Sequence, residues 1–255
     1  MHKPREKESV KRVFEHEREV RYYASLIKKG LLPIEKYAVD KYFARKGKVL
    51  DVGCGAGREA FALAKQGFSV VGIDLSSNLV KFAKQYALKH RLVAVTFLCS
   101  DVEHLRYPKN TFDYVILPTQ VIEHVKGRDN RINVLRQCKE LLKENGILFF
   151  TTHERKSGLR WWFYWTKESV LLSLKHFVGI DTERELGDTW IDSVNPTNKA
   201  IEKAFIHFYT KREAIKDIRR ASLTLVEVVS NEKLRAAWEP AHLKYAFICK
   251  QAKPS

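Results

Sequence analysis

Apolar residues recur with two different periods along this chain, and these predict a regular alternation of helices and strands. Near the N-terminus the apolar positions lie three and four residues apart, which predicts helices over Lys7–Lys29 and Leu31–Gly47. From Val49 to His153, short apolar runs such as SVVGID and ILFFTTH alternate with helical segments. Strands alternating with helices through short turns predict βαβ units and a largely parallel sheet.

The alternation breaks after His153. Five consecutive aromatic residues occupy positions 161–165, and a helical segment, Lys167–Phe177, follows them before a long polar stretch. Regular patterning then returns with AFIHFY, which resembles a strand, and with a capping box that predicts a helix starting after Thr210. Two apolar runs close to the C-terminus, LTLVEVV and YAFICKQ, are expected to complete the sheet.

The composition permits a single large domain, and the net charge indicates which class of partner the protein could bind. The 255 residues are 45% hydrophobic and 30% charged, a balance that can bury a substantial core. A net charge of +16 favours polyanionic partners such as RNA or anionic lipid. The excess is spread along the chain, so charge by itself does not select a nucleic acid.

The sequence also bears on the compartment. The N-terminal segment is charged and is not expected to be a secretory signal, and no apolar run is long enough to span a bilayer. The four cysteines lie far apart, which suits reduced thiols and disfavours a zinc site or a disulfide framework. We therefore expect a cytoplasmic protein without a bound metal.

A glycine-rich turn follows the first predicted strand. Gly53, Gly55 and Gly57 alternate with other residues and lead into a helix. Glycine is needed where the backbone turns tightly and approaches a ligand, and a helix N-terminus offers free N–H groups to an anion. The third glycine comes two residues after the second, whereas the dinucleotide-binding fingerprint spaces them by three.

Acidic residues end three consecutive predicted strands. Asp51 precedes the glycines and could receive an ammonium group, and Asp74 could accept hydrogen bonds from both hydroxyls of a ribose. Asp101 ends the third strand, although it could instead be a helix N-cap. Together with the glycines, these acids outline a site for a nucleoside that carries a charged amino-acid tail.

In order and spacing, the segments Val49–Lys84, Cys99–Leu105, Phe112–Val125 and Leu141–His153 resemble the class I S-adenosylmethionine-dependent methyltransferases. A later segment, HFYTKREAIKDIRRASL, also resembles this family. The resemblance implies an α/β fold, a doubly wound and mostly parallel seven-stranded sheet of the Rossmann-like type, with the last strand antiparallel. It implies one domain with four parts: an N-terminal helical cap (1–46), a cofactor-binding core (47–153), an inserted lid (154–205) and a completion of the core (206–255).

The resemblance also implies a set of residues that bind S-adenosylmethionine. They are Asp51, Gly53, Gly55, Gly57, Asp74, Leu75, Asp101, Val102, Leu117 and Thr119. The first three would hold the methionine moiety, while Gly57 would permit close packing of the turn on its helix. Asp74 would bind the ribose, and Asp101 would contact the adenine edge. Pro118 departs from the family pattern, because proline has no backbone N–H to offer.

The catalytic and substrate-binding residues are less determined. Methyl transfer is an in-line displacement, so the enzyme mainly aligns its reactants, and a base is needed only when the acceptor arrives protonated. His124 and His153 lie near the ends of strands, and each is either that base or a structural residue. Tyr209 either faces the site or belongs to the core.

The aromatic block has three possible roles. Five aromatic side chains present on the order of 1,000 Å² of surface, and monomers seldom expose apolar patches above roughly 600 Å². We therefore expect most of these rings to be covered. They could form the core of a lid, a membrane or nucleic-acid contact, or a pocket wall in which Trp161, Trp162 and Trp165 touch the substrate.

These expectations converge on a methyltransferase that transfers a methyl group to an oxygen or nitrogen of a small-molecule acceptor and releases S-adenosylhomocysteine. An RNA methyltransferase of the kind that acts on tRNA is the alternative, favoured by the charge and by the mixture of basic and aromatic residues. A non-catalytic cofactor-binding module, with peripheral membrane contact through the aromatic block, is a third reading. The sequence leaves the oligomeric state open.

Overall fold

The computed structural model of the protein describes residues 6–155, 158–180, 184–192, 203–230, 234 and 243–251. Its strands are β1 (Lys48–Val52), β2 (Ser69–Asp74), β3 (Val95–Cys99), β4 (Phe112–Leu117), β5 (Leu142–His153), β6 (Asp188–Asp192), β7 (Lys203–His207), β8 (Leu223–Ser230) and β9 (Leu243–Gln251). Its α-helices are α1 (Glu6–Glu15), α2 (Glu17–Leu26), α3 (Pro33–Tyr42), α4 (Arg58–Lys65), α5 (Ser77–Lys89), α6 (Arg128–Leu141), α7 (Leu159–Phe177) and α8 (Lys211–Arg220).

Seven of the strands form one sheet in the order β3-β2-β1-β4-β5-β9-β8. The first five run parallel, and β9 pairs antiparallel with both β5 and β8. Strand order reverses between β1 and β4, and ligands bind beside such switch points at the carboxyl ends of the strands. The predicted α/β fold, with a mostly parallel seven-stranded sheet and an antiparallel last strand, is confirmed.

Neighbouring residues of the central strands face opposite sides of the sheet. Val49 packs with α3, α4 and α5 on one side, while Leu50 packs with α6 and α8 on the other. Because both faces are covered by helices, the strands are apolar throughout their length. This burial explains why they appear in the sequence as continuous apolar runs.

The N-terminal segment differs from its prediction, because one long helix is replaced by two. The break falls at His16, whose side chain accepts a hydrogen bond from the N–H of Arg18 at 3.3 Å and so caps α2. The turn between the two helices is fastened to α5. Ser76 donates a hydrogen bond to the carbonyl of Phe14 at 3.0 Å, and Asn78 donates one to the carbonyl of Glu15 at 2.8 Å.

Arg58 joins the N-terminal helices to α4. Its guanidinium donates to both carboxylate oxygens of Glu35 at 2.8 Å and to the carbonyl of Gly30 at 2.8 Å, and it also contacts Glu59. The sequence alone allows two roles for Arg58: a contact with a cofactor carboxylate, or a solvated position on its helix. The structure instead commits the side chain to this buried cluster.

The segment after β5 also differs from its prediction in two ways. The predicted strand AFIHFY overlaps β7, which pairs with β6 in a separate two-stranded ribbon, and β6 lies within the polar stretch for which no strand was predicted. The aromatic block lies within α7, which begins at Leu159, eight residues before the predicted helix. The division into four parts stays a prediction, and residues 1–5, 156–157, 181–183, 193–202, 231–233, 235–242 and 252–255 lie outside the described residues.

Within the part of the chain that the structure describes, we find no helix that is both long and apolar enough to cross a membrane. Helix α7 has the length, but Arg160, Lys167, Glu168 and Lys175 interrupt its apolar residues.

Candidate active site

A cleft of about 900 Å³, its open mouth included, lies at the carboxyl ends of the parallel strands. Its floor comes from the turns that follow β1, β2, β3 and β4, and its roof comes from one side of α1. The residues that line it include Lys7, Val10, Lys11, Phe14, Gly53, Gly55, Asp74, Leu75, Asp101, Val102, Glu103, Thr119, Gln120, Val121 and His124.

The turn after β1 is held in place by the next strand. The N–H groups of Gly53 and Cys54 both donate to the carbonyl of Ile73, at 2.8 and 2.9 Å. Gly53 has φ +70°, and a Cβ added there would lie 2.3 Å from Cγ2 of Val121. At Gly57, with φ +91°, an added Cβ would lie 2.7 Å from the Phe61 ring, so this glycine permits the turn to pack on α4. Gly57 itself is not among the residues that line the cleft.

Asp74 forms a fixed acceptor in the floor of the cleft. One carboxylate oxygen accepts from the N–H of Gly55 at 2.9 Å, and the other accepts from the N–H of Ser76 at 2.8 Å. Burial raises the pKa of the carboxyl, while these hydrogen bonds oppose the rise. A carboxylate has about four lone-pair sites, so each oxygen keeps capacity for one further donor, such as a ribose hydroxyl.

Asp51 precedes Val52 and Gly53, which line the cleft, but is not itself among the lining residues. Its side chain is completely buried, and among the described residues neither carboxylate oxygen has a hydrogen-bond partner. Burial raises the pKa of this carboxyl well above its usual range, and the nearby Glu59 and Glu35 raise it further. A buried carboxylate without a partner is costly. It therefore suits a ligand that brings a positive charge, such as the ammonium group of a methionine moiety.

Asp101 lies at the mouth of the cleft and is paired with the roof. Lys7 of α1 lies 2.7 Å from Oδ2 of Asp101 and 2.6 Å from Glu103. Oδ1 of Asp101 accepts from the N–H of Glu103 at 2.9 Å, so the carboxylate is held in a local turn. This position suits the predicted contact with an adenine edge, and the two ion pairs keep α1 over that end of the cleft.

The remaining predicted cofactor residues divide into two groups. Leu75, Val102 and Thr119 line the cleft. Leu117 does not: it is fully buried among the side chains between the sheet and α6, and its contact with the cofactor stays a prediction. Its place in the wall is taken by Gln120, which follows Thr119 at positive φ.

His124 faces the cleft from a short 3-10 turn, Val121–His124. Its Nδ1 lies 2.7 Å from the carbonyl oxygen of Phe205. Because a carbonyl only accepts, Nδ1 carries the proton, and Nε2 of the neutral ring is an acceptor. Burial lowers the pKa of His124 to about 4, so the ring is neutral near pH 7.

His153 is placed differently from His124. It is buried and is not among the residues that line the cleft. Glu123 holds it on two sides, accepting from the backbone N–H of His153 at 3.0 Å and from Nδ1 at 2.7 Å. The pair joins the end of β5 to the 3-10 turn that carries His124. Of the two roles left open for His153, this position favours the structural one, and a role as catalytic base stays a prediction.

The predicted substrate contacts also lie away from this cleft. Tyr209 is buried, with Arg131 over its ring at 5.3 Å and its hydroxyl donating to Asp217 at 3.3 Å. Trp161 and Trp165 are half-buried on α7. Trp162 is 60% exposed, contrary to the expectation that most of the block is covered. None of the four is among the residues that line the cleft, and their contact with a substrate stays a prediction.

Several cleft residues were not identified from the sequence. Lys7, Lys11 and Phe14 recur at helical spacing, and this amphipathic pattern was a signal that α1 has a distinct inner face. The pattern could not show which surface that face covers. Gln120 and Val121 carried no such signal, because their exposure to the cleft depends on the unusual backbone after β4.

The low pKa of His124 predicts how stability changes with pH. An unfolded histidine titrates near about pH 6.5, whereas His124 in the folded chain stays neutral down to about pH 4. Between these values the unfolded state binds more protons, so His124 makes stability fall as the pH is lowered from 6.5 towards 4. We expect His124→Gln to reduce that slope by on the order of 1 kcal/mol per pH unit in urea titrations. The exposed control His104→Gln should leave it unchanged, and an unchanged slope in His124→Gln would contradict the assignment.

Comparison with known proteins agrees with this geometry. Residues 50–150 match the family described as methyltransferase domain. A stretch of 124 residues is 37% identical to the ubiquinone biosynthesis O-methyltransferase of Coxiella burnetii, and it covers 48% of this chain and 51% of that protein. The chain thus spans about half the length of the curated relatives it matches.

Solved structures show the same fold over most of the chain. An S-adenosylmethionine-dependent methyltransferase from Methanosarcina mazei has a TM-score of 0.67 at 18% identity, covering 88% of this chain and 99% of that one. The magnesium protoporphyrin IX methyltransferase of Synechocystis, solved with bound S-adenosylhomocysteine, has a TM-score of 0.60 at 16% identity, covering 97% and 100%. The family match covers the stretch that holds the glycine turn and the strand-end acids, and the fold over most of the chain is that of the solved methyltransferases.

Proposed function

We propose that the protein is an S-adenosylmethionine-dependent methyltransferase that methylates a hydroxyl group of a small acceptor. The observation that carries this proposal is the continuity of one cleft, which runs from Asp74 and Asp101 to the ring of His124 beneath α1. It therefore joins a nucleoside-binding end to a proton acceptor. The O-methyltransferase activity in the name of the Coxiella relative supports oxygen as the acceptor atom.

The roof of the cleft favours a small acceptor over a polymer. Val10 and Phe14 of α1 contribute apolar side chains, and Phe14 packs edge-on against the His124 ring at 5.4 Å. Lys7 holds the helix down through its two ion pairs. An acceptor must fit between this helix and the sheet, which suits a compact, partly apolar molecule. Methylation of RNA stays a prediction that the test below also addresses.

The residues around the cleft fit the cofactor, and each has a separate task. When bound, the cofactor supplies an electrophilic methyl group on a sulfonium. Asp74 would orient the nucleoside through its ribose, and Asp101 would bind the adenine edge. Asp51 would neutralise the ammonium group, which removes the cost of an unpartnered buried carboxylate. Since methyl transfer depends on alignment, these contacts supply most of what the protein must contribute.

His124 would accept the proton of the acceptor hydroxyl at Nε2. The hydrogen bond from Nδ1 to the carbonyl of Phe205 fixes the tautomer and the orientation of the ring. A base whose pKa is about 4 is always available at neutral pH but is weak. Transfer to such a base is less unfavourable from an acidic hydroxyl, which favours a phenol over an aliphatic alcohol.

Isotope transfer from methyl-labelled S-adenosylmethionine in a cell extract tests this proposal. We expect label in the low-mass fraction, and we expect His124→Ala to lower the turnover number by about a hundredfold while cofactor affinity is kept. The exposed His104→Ala is the matched control. Label in the RNA fraction would favour the alternative acceptor. Tight binding of S-adenosylhomocysteine without label in any fraction would favour a non-catalytic module.

A further inference from the structure

The exposed apolar surface of this protein is concentrated on one helix. Of the fourteen large apolar side chains that are exposed among the described residues, ten lie between positions 159 and 180, so they form a patch rather than a scatter. The outward stripe of α7 consists of Leu159, Trp162, Phe163, Val170, Leu174 and Phe177. Monomers rarely expose contiguous apolar patches of this extent unless they bind something.

Helix α7 has apolar side chains on both of its faces. Its inner face carries the half-buried Trp165, which lies under the guanidinium of Arg155 at 5.2 Å, and Glu168, which pairs with Arg184 at 3.2 Å. Phe163, Val170 and Phe177 are spaced by seven residues and lie on the opposite face. A helix that is apolar on both faces is normally covered on both. The inner face is fastened to the protein, so the outer face is the one that needs a partner.

The charges on α7 indicate the sign of the charge that the partner surface carries. Arg160 and Lys167 are exposed and lie seven residues apart along one edge of the apolar stripe. Glu168 is the only acidic residue of the helix, and it is turned inward to Arg184 with little exposure. The outer face is therefore apolar and positively charged, and it complements a surface that is apolar and negatively charged.

We propose that the outer face of α7 binds the surface of a membrane that contains anionic lipid, with the helix lying in the interface. Apolar side chains would enter the acyl boundary, and Arg160 and Lys167 would contact the head groups. Tryptophan and tyrosine favour this interface because their rings are apolar and their polar atoms remain hydrated. The proposal is independent of the acceptor and of the chemistry in the cleft.

Two other occupants fit the face less well. A second copy related by twofold symmetry would bring the same patch against itself, so two surfaces that both carry the positive charges of Arg160 and Lys167 would face each other. RNA bases stack on aromatic rings, but Leu159, Val170 and Leu174 offer bases no such contact. A lipid surface satisfies the aliphatic, aromatic and basic side chains together.

Co-sedimentation of the full chain with phosphatidylcholine vesicles, with and without phosphatidylglycerol, tests the proposal. We expect binding to the vesicles that contain phosphatidylglycerol and little binding to phosphatidylcholine alone. Phe163→Glu combined with Phe177→Glu should lower the partition coefficient by at least about tenfold. Arg160→Gln and Lys167→Gln should each lower it by about fivefold.

Leu88→Glu combined with Val93→Glu is the matched control, because these side chains are 82% and 95% exposed but lie outside α7. This control should bind vesicles as the unmodified chain does. Every variant should still bind S-adenosylhomocysteine, which shows that it is folded. Failure to bind anionic vesicles at low salt would overturn the proposal. So would an equal loss of binding in the control, or a lipid-free dimer that the phenylalanine substitutions dissociate.

Discussion

Asp74→Ala is expected to weaken the binding of S-adenosylhomocysteine by about 3 kcal/mol, roughly a hundredfold loss of affinity. Two effects add in this variant. The carboxylate that would accept from the ribose hydroxyls is lost, and so are the anchors of the Gly55 and Ser76 N–H groups, which lie 2.9 and 2.8 Å from it. Isothermal titration calorimetry of the purified chain measures the change directly.

A surface aspartate provides the control for this measurement. Asp40 is exposed and pairs with Lys36 at 2.7 Å, far along the chain from the cleft residues. Exposed ion pairs contribute only about 0–1 kcal/mol to stability, so Asp40→Ala should bind the ligand with unchanged affinity. If Asp74→Ala also bound with unchanged affinity, the nucleoside end of the cleft would have been assigned to the wrong carboxylate.

Gly53→Ala is expected to destabilise the fold by about 3 kcal/mol, because a left-handed backbone and a steric overlap act together. Gly53 has φ +70°, and the new Cβ would lie 2.3 Å from one methyl group of Val121 and 3.0 Å from the other. Val121 belongs to the turn that carries His124, so relief of the overlap would move the ring as well. Thermal unfolding should show a lowered Tm, and residual activity should fall with it.

Gly67→Ala separates the cost of the left-handed backbone from the cost of the steric overlap. Gly67 also has positive φ, +92°, but the nearest atom to an added Cβ is Cγ of Lys46 at 3.8 Å. It should therefore show the backbone cost alone, about 1 kcal/mol. A similar Tm for the two variants would mean that the contact with Val121 is not restrictive.

Local spacing was sufficient to predict that the glycine turn and the strand-end acids lie at one edge of the sheet, while their contacts with a cofactor stay a prediction. The glycines after β1 and the acids that end β1, β2 and β3 are set by where each strand stops, and strand ends are visible in the pattern of apolar residues. The roof was not predictable in this way. Lys7 reaches Asp101 across 94 positions of sequence, and no local pattern specifies such a contact.

Three other differences between the sequence predictions and the structure also arise from contacts or backbone geometry that no local pattern specifies. His124 and His153 both follow apolar runs, and only the 3-10 turn after β4 decides that the first faces the cleft and the second faces Glu123. The five aromatic residues have no clear helical period of their own, so the start of α7 was placed too late. β6 was not predicted because it lies in a polar stretch, and its pairing with β7 rather than its composition makes it a strand.

The position of β9 has a consequence for biosynthesis. β9 is the last strand along the chain, yet it lies inside the sheet, between β5 and β8. During translation, which adds about 5–20 residues per second, β8 emerges before the strand that it must pair with. The sheet therefore cannot close until Leu243–Gln251 has left the ribosome. Until then the edges of β5 and β8 are unpaired, which makes the nascent chain a substrate for chaperones at that stage.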